Sequence, residues 1–221
     1  MTVADALRAR KSVRAFTDAP VSKEQITQLL DVSRYAPSGV NTQPWQVAVV
    51  TGEAKQRLQQ RMLAAAAAGE KSSIAYQYYP GEWREPYRSR RKACGLLLYS
   101  TLEISREDKQ RQQQQWFANY RAFDAPVMML FFIDSHLAEG SFLDYGMFLQ
   151  SIMLAAVDQG LGTCPQAALA EYPHIVRDEL AYDDSLTLLC GIALGYEDET
   201  AVVNSYRTER QPVDDFTNFF Y

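Results

Sequence analysis

Arg10, Ser12 and Arg14 alternate around Lys11, so two guanidinium forks and a hydroxyl lie within five residues. A planar guanidinium matches the oxygens of a phosphate, and Arg207 and Arg210 supply two more near the other end of the chain. About 20 residues after the first cluster, the stretch from Tyr35 to Trp45 breaks a helix and opens a strand. Its Pro37, Ser38, Asn41 and Gln43 present mainly neutral donors and acceptors. Cations for a phosphate and amides for the edge of a heterocycle together suggest a phosphorylated, aromatic cofactor. At the level of the residues alone two other readings stand beside this one. Cations at a helix end complement its dipole, and an Asn after Gly39 can bond its own backbone in a turn.

Arg-x-Ser-x-Arg followed by Pro-Ser-x-x-Asn-x-Gln-Pro-Trp resembles the FMN-dependent nitroreductase family. Asp144 to Pro165 is similar to that family's central helix and following short strand, and Tyr206 to Pro212 to its C-terminal Arg-Thr-x-Arg-x-Pro element. The resemblance implies an α+β fold over 1-221 as one domain, a central mixed, mostly antiparallel sheet surrounded by helices, and a homodimer in which the C-terminal tail wraps the partner. It implies FMN at the subunit interface, NADH or NADPH as electron donor, and a small-molecule acceptor such as a nitroaromatic, a quinone or a related electrophile. Hydride would pass through flavin N5, with two substrates using one open face in turn. Arg10, Ser12 and Arg210, with Arg207 and more distantly Lys11, are the expected phosphate and ribityl contacts. Lys11 should point elsewhere than its neighbours, because adjacent residues at a helix end do not share a face. Arg14 is expected to stabilise the charge that gathers around N1 and O2 of the reduced ring.

In the family, the loop holding Pro37, Ser38, Asn41 and Gln43 reaches a flavin bound mainly by the other subunit. Pro165, Gln166 and Ala167 match the segment over the ring, with the Ala167 backbone N–H near N5. Many relatives carry Glu then Gly where this chain has Ala167 and Ala168, so only the backbone role transfers. No catalytic side-chain acid or base is implied. Two alternatives remain: another flavin reaction on the same scaffold, such as enone reduction, dehalogenation or oxidative chemistry, or a non-catalytic flavin-binding module.

Bulk properties narrow the field. At 221 residues and 47% hydrophobic, the chain can bury one sizeable core. A formal net charge of -5 argues against a dedicated nucleic-acid partner. The rival cue is Tyr76 to Lys92, which mixes tyrosines and Trp83 with Arg84, Arg88, Arg90 and Arg91; the basic run reads more readily as a solvated helix start, and the same residues could instead shape a pocket for an aromatic, anionic substrate. The first residues do not read as a signal peptide and no apolar segment approaches a membrane span, so a cytoplasmic location is expected. Cys94, Cys164 and Cys190 are widely spaced and His136 and His174 form no ligand spacing with them, so neither a disulfide framework nor a metal is expected. Cys164 reads as a small buried thiol rather than a nucleophile. No Gly-x-Gly-x-x-Gly or phosphate loop is present.

These residues need positioning elements. Thr2 with Asp5 and Ser22 with Gln25 are capping boxes for a helix ending near Lys11 and another ending near Tyr35. Gln46 to Thr51 reads as a strand and Lys55 to Ala68 as a helix closed by Gly69. Ser72 to Arg91 reads as a long aromatic loop, Arg90 to Leu102 as a helix, and Arg106 to Tyr120 as another capped by Ser105 with Asp108. Val127 to Ile133 and Ser185 to Gly195 are core strands. The helix through Phe142, Phe148 and Ile152 is apolar on most sides, which predicts central burial before its stop at Gly160. A further helix runs from Pro173 to Leu180. Phe216, Phe219, Phe220 and Tyr221 form an aromatic tail that should pack on something.

Overall fold

The computed structural model describes residues 1–221. Helix α1 (Val3–Ala9) opens with a complete capping box, Thr2 accepting from the Asp5 N–H and the Asp5 carboxylate accepting from Thr2 in return. It stops at Ala9, earlier than Lys11, because Arg10 already has extended backbone. The Arg10–Arg14 stretch is therefore free to run alongside the sheet. α2 (Lys23–Ser33) starts from the Ser22–Gln25 box and ends four residues before Pro37.

The sheet comprises β1 (Gln46–Thr51), β2 (Val127–Asp134), β3 (Gly162–Gln166) and β4 (Leu186–Gly195) in the order β1-β2-β4-β3. Where a mixed sheet is expected, all three ladders are antiparallel. The one parallel link is a bridge from Ser12 to Thr163, sealed by the Val13 N–H donating to the Thr163 carbonyl at 2.9 Å. At Gly162 a Cβ would stand 2.9 Å from a Val13 methyl, so glycine is what lets the Arg10–Arg14 stretch lie this close to β3.

β2 is apolar on both faces because both are covered. Met128, Leu130 and Phe132 enter a core with Leu58 and Met62 of α3 (Gly52–Ala67) and Val176 of the helix Pro173–Leu180. Met129, Phe131 and Ile133 enter a second core with Ile26 and Leu29 of α2 and with Tyr145, Phe148 and Ile152 of the helix Gly140–Asp158. Numbered in chain order, the remaining helices are α4 (Tyr87–Thr101), α5 (Lys109–Phe117), α6 (Gly140–Asp158) and α7 (Pro173–Leu180).

Several local expectations shift. The aromatic loop ends at Pro86 rather than Arg91, since α4 begins at Tyr87. α5 is capped by Asp108 alone, whose carboxylate accepts from the Arg111 N–H at 3.0 Å. It does not reach Tyr120 as an α-helix; a tighter turn spans Ala118–Asp124, with Ala122 and Phe123 at positive φ. α6 is central, as its apolar pattern predicts, but not wholly enclosed. One face enters the core while Leu143 is 73% exposed, and its 19 residues are long and apolar enough for a membrane span by length and composition, contrary to the expectation of no such segment. The buried Asp144 and the packing of Tyr145, Phe148 and Ile152 make it a core helix in this fold. Gly160 ends it with φ +72°, a conformation glycine adopts without strain.

Candidate functional site

Both ends of the chain meet in a cavity of about 460 Å³ lined by Arg10, Ser12, Arg14, Tyr206, Arg207 and Arg210. Arg8 and Lys11 complete its cationic lining, and no carboxylate takes part. Lys11 turns its ammonium aside, as its position predicts, donating to the Asn204 carbonyl at 2.8 Å and pairing with Glu197 at 2.6 Å. Arg207 serves the end of α1, where it donates to the Arg8 carbonyl at 2.8 Å and to those of Ala9 and Arg10. A cation satisfying the last carbonyls of a helix is favourable in itself, so this guanidinium has a structural duty as well as a place in the cavity wall. Arg210 bonds only to its own neighbourhood, the Thr208 hydroxyl and the Thr208 and Glu209 carbonyls.

Arg10 is the strained member. Its Nε is buried with no hydrogen-bond partner. Burial, then the nearby charges of Arg210 and Arg207, push its pKa down. Guanidiniums held together without a counter-charge form a site that an anion would complete. The orphaned Nε, the converging forks and the absence of carboxylates fit the phosphate of a nucleotide cofactor.

Arg14 stands where this cavity opens into a second one. Its backbone N–H donates to Asn204 Oδ1 at 2.8 Å, and its guanidinium donates to the Ser12 carbonyl at 3.3 Å and Tyr206 Oη at 3.1 Å while lying 5.9 Å from the centre of the Phe123 ring. Asn204, buried, also donates to the carbonyls of Ala15 and Asp198, so one amide clamps three segments. Neither Asn204 nor Tyr206 was singled out for this task by the sequence; their place just before the second arginine pair was the available signal.

Beside the Arg10–Arg14 stretch, β3 delivers the segment expected over a flavin ring. Pro165 is exposed, Ala167 half-buried, and Gln166 buried with its Nε2 donating to the Asn119 carbonyl at 3.0 Å and its Oε1 unpartnered. Pro165, Gln166 and Ala167 also border an apolar hollow of about 290 Å³ with Tyr76, Tyr78 and Phe142. Burial pushes the Cys164 thiol up to about 11, only partly opposed by Arg14, Ser12 and Arg10, so it is a protonated packing group at neutral pH.

The loop carrying Pro37, Ser38, Asn41 and Gln43 does not join the cationic cavity within the chain: none of these residues lines it. The loop is pinned to α6 by the Gly39 N–H donating to Asp144 Oδ1 at 3.1 Å, and internally by the Gln43 N–H donating to Ser38 Oγ at 2.9 Å. Gln43 Nε2 adds a bond to the Asn41 carbonyl, so the turn chemistry read as an alternative is present here. Val40, Asn41 and Gln43 all hold positive φ, and Val40 is 97% exposed. Three non-glycine residues in the left-handed region of one exposed loop constitute stored backbone strain of the kind that gathers at functional sites.

Residues 7–196 match the family model described as Nitroreductase family. The chain is 41% identical to a 4-nitrobenzoate reductase of Pseudomonas putida over 96% of this chain and 92% of that protein. It is 36% identical to a nitrobenzene nitroreductase of Ectopseudomonas oleovorans over 98% and 96%. Among solved structures, the FMN and NADPH-dependent nitroreductase NfnB of Sphigopyxis sp. strain HMH superposes with a TM-score of 0.97 at 39% identity, covering 100% of both chains. NfnB of Mycobacterium smegmatis, solved in complex with NADPH, superposes with a TM-score of 0.94 at 33% identity, covering 99% of this chain and 98% of that one. The chain belongs to the nitroreductase family.

Proposed function

We propose that this protein is a homodimeric, FMN-dependent oxidoreductase that uses NAD(P)H to reduce nitroaromatic compounds. The observation that carries the reading is the carboxylate-free cavity in which Arg10, with its unpartnered Nε, meets Arg14, Arg207 and Arg210. Arg10, Ser12 and Arg210 hold the cofactor's phosphate and ribityl oxygens, and Arg207 closes the wall while tying it to α1. When bound, FMN supplies the hydride chemistry that no side chain of this site can perform. Arg14, immobilised by Asn204 and Tyr206, would set a fixed positive charge at the pyrimidine edge of a bound flavin, where negative charge accumulates on reduction. Pro165 and Gln166 of β3, with Ala167 just after it, would lie against the ring, and the Ala167 backbone N–H would serve N5.

The partner subunit supplies the loop of Pro37, Ser38, Asn41 and Gln43. Three features support the dimer. The strained loop is presented outward; α6 exposes Leu143 beside it; and the tail leaves Phe216, Phe219, Phe220 and Tyr221 in solvent, at 63 to 111% exposure. β1 is a sheet edge with no neighbour on its outer side, a place where an extended tail from a second copy can pair. The donor is an intracellular metabolite, which supports a cytoplasmic location, and all of 1–221 serves one catalytic domain.

An absorption spectrum of the purified protein, followed by anaerobic NADPH and then a nitroarene, tests the reading. Flavin bands that bleach and return are expected; a protein that cannot be reconstituted with FMN overturns the cofactor and every role drawn from it. Bound flavin without acceptor-dependent NAD(P)H turnover would leave only the non-catalytic alternative.

A further inference from the structure

The cavity at Arg14 opens into a larger groove, about 940 Å³, between α4 and α5. The two helices run antiparallel. Arg111 near the start of α5 donates to the carbonyls of Leu102 and Glu103 at the end of α4, and Gln112 Nε2 donates to the Ser105 carbonyl. The groove therefore has two ends. The inner one holds Arg14, Phe123, Arg91, Lys92 and Cys94, the last shared with the cationic cavity. The outer one holds Arg106 and Lys109 beside the hairpin turn. At 1.5 Å per residue, the seven steps from Trp116 back to Lys109 separate the ends by about 10 Å or more.

No Asp or Glu lines the groove, and neither Arg106 nor Lys109 forms an ion pair, Lys109 reaching only Gln112 Oε1 at 3.4 Å. Of the nearest carboxylates in sequence, Asp108 caps α5, and Glu107 is held by its own backbone and by Ser105; Glu107 feels the charges of Lys109 and Arg106 but forms no ion pair with either and does not line the groove. Two unpaired cations at the far end of an aromatic-walled groove, in a chain of net charge -5, call for an anion carried at a distance from the reacting ring. Trp116 and Tyr99 offer ring faces and edges between the two ends.

The geometry points to Arg106 and Lys109 as the binding site for the 2′-phosphate of NADPH, its nicotinamide end seated near Arg14 and its adenosine end at the outer mouth. This rests on the flavin reading above. A nitrobenzoate is too short for the same assignment. One ring separates its carboxylate from its nitro group, so at the Arg14 end it meets Arg91 and Lys92 rather than the outer pair.

Isothermal titration of the flavin-loaded dimer with 2′,5′-ADP and with 5′-AMP, in the wild type and in Arg106→Gln/Lys109→Gln, tests the assignment. The double variant should lose about tenfold to hundredfold in 2′,5′-ADP affinity, the scale of one or two charge-assisted hydrogen bonds, with little change for 5′-AMP. The NADPH to NADH ratio of kcat/KM should fall by a similar factor. Unchanged 2′,5′-ADP binding overturns the proposal. So does a loss confined to 4-nitrobenzoate, spared for 4-nitrobenzamide, with 2′,5′-ADP binding intact, because the outer pair then reads an acceptor's carboxylate. Flavin content, read from the same samples, separates the two levels: a wild type without flavin indicts the function proposed above, whereas a flavin-loaded enzyme indifferent to the 2′-phosphate indicts the groove alone.

Discussion

Arg14 is held by three hydrogen bonds that reach Ser12, Asn204 and Tyr206. Removing its fork by Arg14→Ala should weaken FMN binding about tenfold to hundredfold, measured by flavin fluorescence titration, with Arg14→Lys recovering only part because an ammonium lacks the planar pair of donors. Unaltered binding together with an unaltered flavin potential would remove Arg14 from the site. Asn204→Ala acts differently, leaving the Arg14 N–H and two carbonyls without their partner; a loss of about 2–4 kcal/mol in stability is expected from denaturant unfolding. The arginines were legible because guanidinium chemistry is written in the residue type. The clamp was not, since it joins Arg14 to a residue 190 positions away that has no charge to advertise it. One buried thiol, Cys164, and one half-buried thiol, Cys190, make a pH prediction. Burial raises Cys164 to about 11 and Cys190 to about 12 from an ordinary 9.0. Between the ordinary and raised values the unfolded chain has lost protons that the folded chain keeps, so stability is full below about pH 9 and falls as pH rises. Thermal melts from about pH 8 to about pH 11 should show the decline, and Cys190→Ala should flatten it; a slope identical in that variant would assign the loss to other groups.

Elements were legible where the signal was local. The two capping boxes, β1, the start and end of α7 and the stop at Gly160 all follow from residues within a few positions of the boundary. Boundaries moved where tertiary structure decides. α5 gives way to a tight turn because Ala122 and Phe123 leave helical space on the way to β2, and the composition of that stretch carries no breaker. α6 shows the same limit at larger scale: an all-round apolar pattern marks burial without saying whether the same chain or a second copy provides it. The cap of α5 can be tested directly. Asp108→Ala should cost about 1 kcal/mol and Ser105→Ala less than about 0.5, since only Asp108 accepts from the exposed N–H groups of the first turn. Equal costs in denaturant unfolding would return Ser105 to the capping role.

At the scale of the whole molecule, the proposed dimer would join two features that a single chain keeps apart. One is the cationic cavity; the other is the strained, amide-bearing loop anchored on Asp144, none of whose residues lines that cavity. A two-fold axis would present each loop to the other subunit's cavity, giving an isologous interface in which two equivalent sites are completed at once. The tail would then belong to that interface rather than to the fold of its own chain, because its four exposed aromatics contribute to neither core. Removing residues 213–221 should therefore leave the secondary structure and the sheet intact by circular dichroism while the mass from light scattering falls towards that of one chain. Flavin should dissociate in parallel, as the partner's loop withdraws. A truncated protein that remains a dimer and keeps its flavin would show that α6 and the loop hold the pair together without the tail. A truncated monomer that still retains FMN tightly would be the more damaging result, because it would mean that Arg10, Ser12, Arg14 and Arg210 bind the cofactor without help and that the strain stored at Val40, Asn41 and Gln43 answers to something other than the second subunit.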